Sequence, residues 1–267
     1  MASIHGPATG GFVPAGGGWA RGFLPYPPRE PEPSRWLVRP TRVTPGDDLV
    51  ALGADLAPGT LLEAYRHGVF PMGIGEHGAP PIGWWSPDPR GVLWPGHVKV
   101  SRSLRKSARH YRVSSDEAFD AVVEACADPA REGRWITPEI QAAYGHLHRL
   151  GWAHSIEVWD GPDLVGGLYG VALGGLFAGE SMFHLARDAS KVALLGLVAA
   201  LTGDGDPRRI IDVQWATDHL RSLGVTEVSR RQYLMLVRRA LPAPQVDLAR
   251  WPGWAVGDGF TPPLRSA

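Results

Sequence analysis

Hydrophobic positions along the chain change period several times, and each change marks an element. From Asp55 to Gly68 the order is a capping acid, an early proline at Pro58, apolar residues at helical spacing and a glycine stop, which predicts a helix. Val69 to Pro89 is broken by proline and glycine around Trp84-Trp85-Ser86-Pro87 and predicts an irregular joint between two lobes. Strands and helices then alternate. Gly91–Trp94 and Tyr111–Ser114 read as strands, and Ser101–His110 as a helix. Asp116–Cys126 is also helical, with Phe119, Val122 and Val123 on one face. Thr137-Pro138-Glu139 caps a helix running to Leu150. Three strands follow in close order, Ser155–Trp159, Leu164–Leu173 and Leu176–Phe183, joined by hairpin signals at Asp160–Asp163 and Gly174-Gly175. Ser190–Leu201 is helical, Arg209–Gln214 a strand, Thr217–Leu223 and Arg230–Ala240 helices. The fold expected is α+β, a mainly antiparallel sheet domain preceded by a small α-rich lobe. The divisions are a flexible tail over 1–33, a small N-terminal domain over 34–88, the larger domain over 89–241 and a C-terminal tail over 242–267.

Composition narrows the function. The 267 residues are 44% hydrophobic and 20% charged, enough for a core, with 27 basic and 27 acidic residues in balance. A neutral chain is not a generic nucleic-acid coat, although a local basic site is compatible with it. The 34 glycines and 25 prolines are concentrated in particular stretches. Only Lys99, Lys106 and Lys191 are lysines, an arginine bias that a GC-rich coding genome also produces. One cysteine, Cys126, excludes an internal disulfide framework and cysteine-rich metal sites. The longest apolar run, Val192–Leu201, is half the roughly 20 residues that span a bilayer, and no signal peptide is apparent. A soluble cytoplasmic protein is expected, with no membrane partner, no metal and no cofactor.

Four stretches carry candidate chemistry. In Ile210–Gln214, strand alternation puts Asp212 and Gln214 on one face, where the acid can hydrogen-bond and orient the amide. A polar pair at a solvated strand end is the plainer reading. Glu180 interrupts an apolar strand, so it awaits either a ligand cation or an internal salt bridge. Between Lys99 and Arg112 six basic residues occur without an acid. Helical spacing brings Arg102, Arg105, Lys106 and Arg109 close to one face, suited to a phosphate backbone or simply to solvent. Trp135, just before a helix, is placed to stack on a base or to fill the core. No phosphate-loop or dinucleotide motif occurs, and His146, His148 and His154 lack partner ligands.

Taken together, these strings form an ordered set. Leu49–Leu56 (LVALGADL), Tyr65–Pro71 (YRHGVFP), Trp84–Arg90 (WWSPDPR), Trp135–Thr137 (WIT), His154–Trp159 (HSIEVW), Gly166–Gly170 (GGLYG), Gly179–Phe183 (GESMF), Ala189–Lys191 (ASK) and Asp212–Gln214 (DVQ) occur in sequence. The chain from about Leu49 to Leu241 resembles the leucyl/phenylalanyl-tRNA–protein transferase family. The resemblance implies an acetyltransferase-like (GNAT-like) domain behind a small lobe, acting without coenzyme A. It implies transfer of Leu or Phe, with Met as a further candidate, from its tRNA to proteins beginning with Arg or Lys, which marks them for degradation. By the same resemblance Gln214, oriented by Asp212, contacts the acceptor amine, and Glu180 with Asp212 selects the basic side chain. Leu168, Phe177, Met182 and Leu197 form the aminoacyl pocket. Trp135, Tyr144 and Met72 surround the terminal adenine, and the Arg102–Arg109 helix holds the acceptor stem. The partners implied are Leu-tRNA, Phe-tRNA and basic N-termini, with the protein itself a monomer. Rival readings are a non-catalytic binder of tRNA or basic N-termini and an acetyl-CoA-dependent N-acetyltransferase.

Overall fold

The computed structural model describes residues 24–40, 46–131 and 133–261. Two sheets organise it. The smaller contains β1 (Leu49–Leu52), β2 (Phe70–Gly73) and β3 (Ile82–Trp85) in the antiparallel order β1-β3-β2, beside helix α1 (Pro58–Arg66). The expected α-rich lobe is therefore half sheet. Strands of four residues, one carrying Pro71, give little alternation to read, and proline is tolerated in β2 because it is an edge strand. Asp55 sits outside α1, accepting the Ala57 N–H at 3.0 Å and the Thr60 hydroxyl at 2.7 Å, while Ala57 is the capping position.

The larger sheet has seven strands. They are β4 (Arg90–Leu93), β5 (Arg112–Ser115), β6 (Ala153–Asp160), β7 (Asp163–Leu173), β8 (Leu176–His184), β9 (Ile210–Gln214) and β10 (Thr226–Val228). Their order is β10-β4-β9-β8-β7-β6-β5. Every pairing is antiparallel except β8 with β9. This is the α+β, mainly antiparallel class expected. The three-residue β10 is too short to leave a periodic signal.

The remaining helices are α2 (Arg102–His110), α3 (Phe119–Cys126), α4 (Pro138–Arg149), α5 (Ala189–Thr202), α6 (Asp218–Ser222) and α7 (Arg230–Ala240). The sheet separates two cores. On one face, α5 and the apolar side of α2 pack with Leu248, Trp254 and Phe260. Gly196 lets α5 approach closely, since a Cβ there would fall 2.8 Å from Ile156 and 2.9 Å from Val113. On the other face α3, α4 and α7 share one core with the small lobe, including Tyr65, Phe70, Trp84, Tyr144 and Tyr233. The lobes are thus continuous through packed aromatics. Residues 24–40 contain no helix or strand, but Tyr26 donates to the Gln245 carbonyl at 2.9 Å and Trp152 to that of Arg29 at 2.8 Å. The rest of the tail expected over 1–33 lies outside the described residues. After Pro242 the chain stays against the large sheet, Trp254 bridging to Val113. Among the described residues no helix is long and apolar enough to cross a membrane.

Candidate active site

Strands β8 and β9 are parallel only from Leu176/Ile210 to Ala178/Asp212, after which they splay. A cavity of about 270 Å³ opens in that gap. Its apolar wall includes Leu168 from β7, Phe177 and Met182 from β8, and Leu194 and Leu197 from α5, with Ile211 and Val213 from β9. Four of these, Leu168, Phe177, Met182 and Leu197, are the expected aminoacyl-pocket positions, and one cavity contains them all. Its polar residues include Glu180, Ser181, Gln214, Thr217 and His219.

Gln214 reaches this cavity because strand alternation fails at it. Ile211 and Val213 face the cavity as the pattern predicts, and continued alternation would turn Gln214 away. Its φ of +58° instead swings the side chain to the cavity side, a left-handed conformation uncommon for glutamine. Asp212 stabilises this turn through the backbone, its Oδ1 accepting the Gln214 N–H at 2.9 Å. The expected side-chain contact between Asp212 and the Gln214 amide is thereby corrected. The Gln214 Nε2 is buried with no partner among the described residues.

Asp212 is wholly buried and its charge is internally balanced. Arg90 grips it with two hydrogen bonds, Nε to Oδ1 at 2.7 Å and Nη2 to Oδ2 at 2.6 Å, and Tyr233 donates to Oδ2 at 2.7 Å. The guanidinium lies between the rings of Tyr233 and Phe70, 4.4 and 4.9 Å from their centroids. Burial opposes its charge, yet Asp212 and its neighbours raise the Arg90 pKa above the ordinary value. The expectation that Asp212 presents negative charge to a basic substrate is corrected, because that charge already belongs to Arg90.

Glu180 is different. Neither a ligand-free salt bridge nor any other ion pair reaches it among the described residues. It accepts hydrogen bonds from Tyr65 at 2.7 Å and Tyr144 at 2.8 Å; the two hydroxyls also lie against each other, but with both protons given to the carboxylate neither has one left to donate. Burial pushes the Glu180 carboxyl up to about 7, against the lowering effect of the two hydroxyls. Burial likewise raises both tyrosines well above their usual range, so they remain neutral donors. Tyr144, wholly buried in this cluster, has no face free for adenine, which corrects its expected role.

Trp135 is half-buried against the core that joins the lobes, and Met72 is half-buried on β2. Gly78 brings their segments together. A Cβ on Gly78 would lie 2.2 Å from the Trp135 carbonyl oxygen, and one on Gly73, next to Met72, 1.9 Å from the Gly78 oxygen. Arg102, Arg105, Lys106 and Arg109 are exposed along α2, while Leu104 and Ala108 face inward. Among the described residues none of the four is in an ion pair. Tyr65, Arg90 and Tyr233 are the site residues that sequence reasoning misses. Tyr65 and Arg90 lie within the ordered strings, but nothing local assigns them to Glu180 and Asp212.

The family described as leucyl/phenylalanyl-tRNA protein transferase matches residues 92–238, and its N-terminal domain matches residues 54–88. A leucyl/phenylalanyl-tRNA–protein transferase of Chromohalobacter salexigens is 50% identical over 80% of this chain and 83% of its own length. One from Anaeromyxobacter dehalogenans is 46% identical over 88% of this chain and 97% of its own. A solved GCN5-related N-acetyltransferase from Kribbella flavida aligns with a TM-score of 0.34 and 13% identity, covering 64% of this chain and 61% of its own. On the extent and identity of the sequence matches, the chain belongs to the leucyl/phenylalanyl-tRNA–protein transferase family.

Proposed function

We propose that the cavity between β8 and β9 receives the leucyl or phenylalanyl side chain of an aminoacyl-tRNA, and that Gln214 and Glu180 receive the N-terminus of an acceptor beginning with Arg or Lys. Family membership makes the chain an aminoacyltransferase. The observation that carries the finer reading is an apolar cavity whose lining holds both a glutamine with its Nε2 buried and unpartnered and a carboxylate in no ion pair among the described residues.

In the reaction the acceptor α-amine attacks the ester carbonyl. A C–N bond forms, the bond to the ribose oxygen breaks, and the amine's proton ends on that oxygen. Aminolysis of an ester is downhill, so holding the amine and carbonyl in contact supplies much of the acceleration. The Gln214 amide holds the amine at the cavity rim. Asp212 is a positioning residue, fixing the Gln214 backbone. Selection of a guanidinium or ammonium then rests on Glu180, with Tyr65 and Tyr144 setting its orientation. The apolar wall accepts Leu and Phe while separating them only weakly, and it admits Met on the same grounds. Trp135 and Met72 flank the adenine, and the exposed face of α2 follows the acceptor stem.

The test follows the mass of a synthetic peptide beginning with Arg, incubated with the protein and either Phe-tRNA, Leu-tRNA or acetyl-CoA. A Phe or Leu increment that appears only with charged tRNA, and disappears when the peptide begins with Ala, is the expected result. An acetyl increment overturns the reading. Retention of tRNA without any increment leaves a binder rather than a transferase.

A further inference from the structure

Basic groups from three elements meet at the mouth of the cavity. Leu194 and Leu197 line it from α5, and Lys191 lies one turn before Leu194 on the same helical face, which puts it at the rim. His219 on α6 is itself part of the lining. His184 ends β8 two residues beyond Met182 and shares its face of the strand. Burial, followed by the nearby charges of Lys191 and His184, lowers the His219 pKa, with Asp188 opposing them. One carboxylate stands among them. Asp188 holds the Lys191 Nζ at 3.1 Å, lies 3.7 Å from the exposed Arg187 guanidinium, and accepts a hydrogen bond from Ser107 of α2 at 2.9 Å. That last bond ties the basic helix to the rim. The exposed cations of α2 thus lie on a helix that contacts the rim through Asp188.

An aminoacyl group buried in the cavity is esterified to a ribose, whose 5′ phosphodiester must leave through this mouth. A single-stranded end has no base pair to fix its path, so a charge at that point decides how the ester is presented. We propose that Lys191, His184 and His219 form a collar that binds the phosphodiester on the 5′ side of the aminoacylated nucleoside. Lys191 supplies the formal charge, and the two imidazoles donate N–H groups even when neutral. The collar rests on reading the cavity as the aminoacyl site and extends it to a second binding subsite.

The experiment compares two minimal donors with the full-length protein and an Arg-initiated peptide. One is 3′-O-phenylalanyl-adenosine and the other the same compound carrying a 5′-phosphate; kcat/KM is measured for each. The phosphorylated donor is expected to be better by about tenfold. Lys191→Ala reduces that advantage to within about twofold, and His219→Gln reduces it severalfold. Because the readout is a ratio within one protein preparation, a partly unfolded variant does not distort it. Equal kcat/KM for the two donors in the unmodified protein, while both transfer, overturns the collar alone. An undiminished ratio in both variants does the same. Absence of transfer from either donor and from Phe-tRNA overturns the cavity reading, and the collar with it.

Discussion

Glu157 on β6 is buried and Glu180 on β8 half-buried; both accept two side-chain hydroxyls and both lack an ion pair among the described residues. Ser114 donates to Glu157 at 2.6 Å and Ser155 donates from the same strand, as Tyr65 and Tyr144 donate to Glu180. Burial pushes each carboxyl up to about 7. They differ in access: Glu157 is fully enclosed between β5 and β7, whereas Glu180 opens into the cavity. Asp212 completes the comparison, as buried as Glu157 but balanced by Arg90. A perturbed carboxyl is therefore not by itself a sign of function. What marks Glu180 is the combination of an unbalanced charge with an open side from which a cation can arrive.

The largest effect expected comes from turning Asp212 into a third unbalanced carboxylate. Arg90→Ala removes the bidentate partner from a site that water does not reach, and breaking such a pair costs about 3–5 kcal/mol. Urea unfolding of the variant measures it. A loss below about 1 kcal/mol contradicts the assignment of the Asp212 charge to Arg90.

Next comes the contrast itself. Glu180→Gln keeps the shape and removes the charge, and a hydrogen bond to a charged group is worth about 1.5–3 kcal/mol. The expected loss is roughly 10–100-fold in kcat/KM for an Arg-initiated peptide, with Glu157→Gln within about twofold of the unmodified protein. Equal losses in the two variants make the open side irrelevant.

Both glutamates also give stability a common pH dependence. Each carboxyl titrates at about 7 in the fold, above its unfolded value of 4.5. Between those values the folded chain binds more protons than the unfolded chain. Their contribution to stability is therefore full below pH 4.5 and falls as pH rises through 7. Glu157→Gln should remove its share, so the variant melts higher than the unmodified protein at pH 8 and the gap closes toward pH 5. A gap of about 2–4 °C accompanies each kcal/mol. A gap that widens toward acid reverses the sign and sinks the assignment.

The strands of the cavity wall are legible in the sequence because they run 9 to 11 residues. Strict alternation puts Phe177 and Met182, five residues apart on β8, on opposite faces; the register shift against β7 at Tyr169/Gly170 returns both to one cavity with Leu168, and α5 adds Leu197. The resemblance to the transferase family singles out these four. The charges are a different matter. Arg90 lies 122 residues from Asp212 and meets it only when β4 pairs with β9, and Tyr65 lies 115 from Glu180 and meets it only once the small lobe shares a core with the sheet. Strand periodicity also points Gln214 the wrong way, since no local pattern announces a left-handed glutamine. The resemblance puts Tyr144 beside the adenine, but the side of α4 that carries it faces inward.

The smallest effect tests whether the tyrosines tune Glu180 as the serines tune Glu157. Both Tyr65 and Tyr144 hydroxyls lower the Glu180 pKa against the rise caused by burial. Tyr65→Phe removes one of them and leaves the ring in the core, so the carboxyl should titrate higher. With the anion as the form that receives a basic side chain, transfer should weaken as pH falls toward and below 7, and the variant should weaken earlier. The expected difference is a few-fold loss of kcat/KM at pH 6.5 that shrinks by pH 8.5, with the acid limb of the profile displaced upward. The acceptor amine, with a pKa near 8, adds its own rise with pH to every profile. Comparing variant with unmodified protein at each pH cancels that rise. Ser114→Ala performs the equivalent operation on Glu157, raising its carboxyl without touching the cavity, and should leave the acid limb in place. A profile that moves equally in Tyr65→Phe and Ser114→Ala assigns the limb to global stability. One that moves only in Tyr65→Phe ties it to the carboxylate that opens on the substrate.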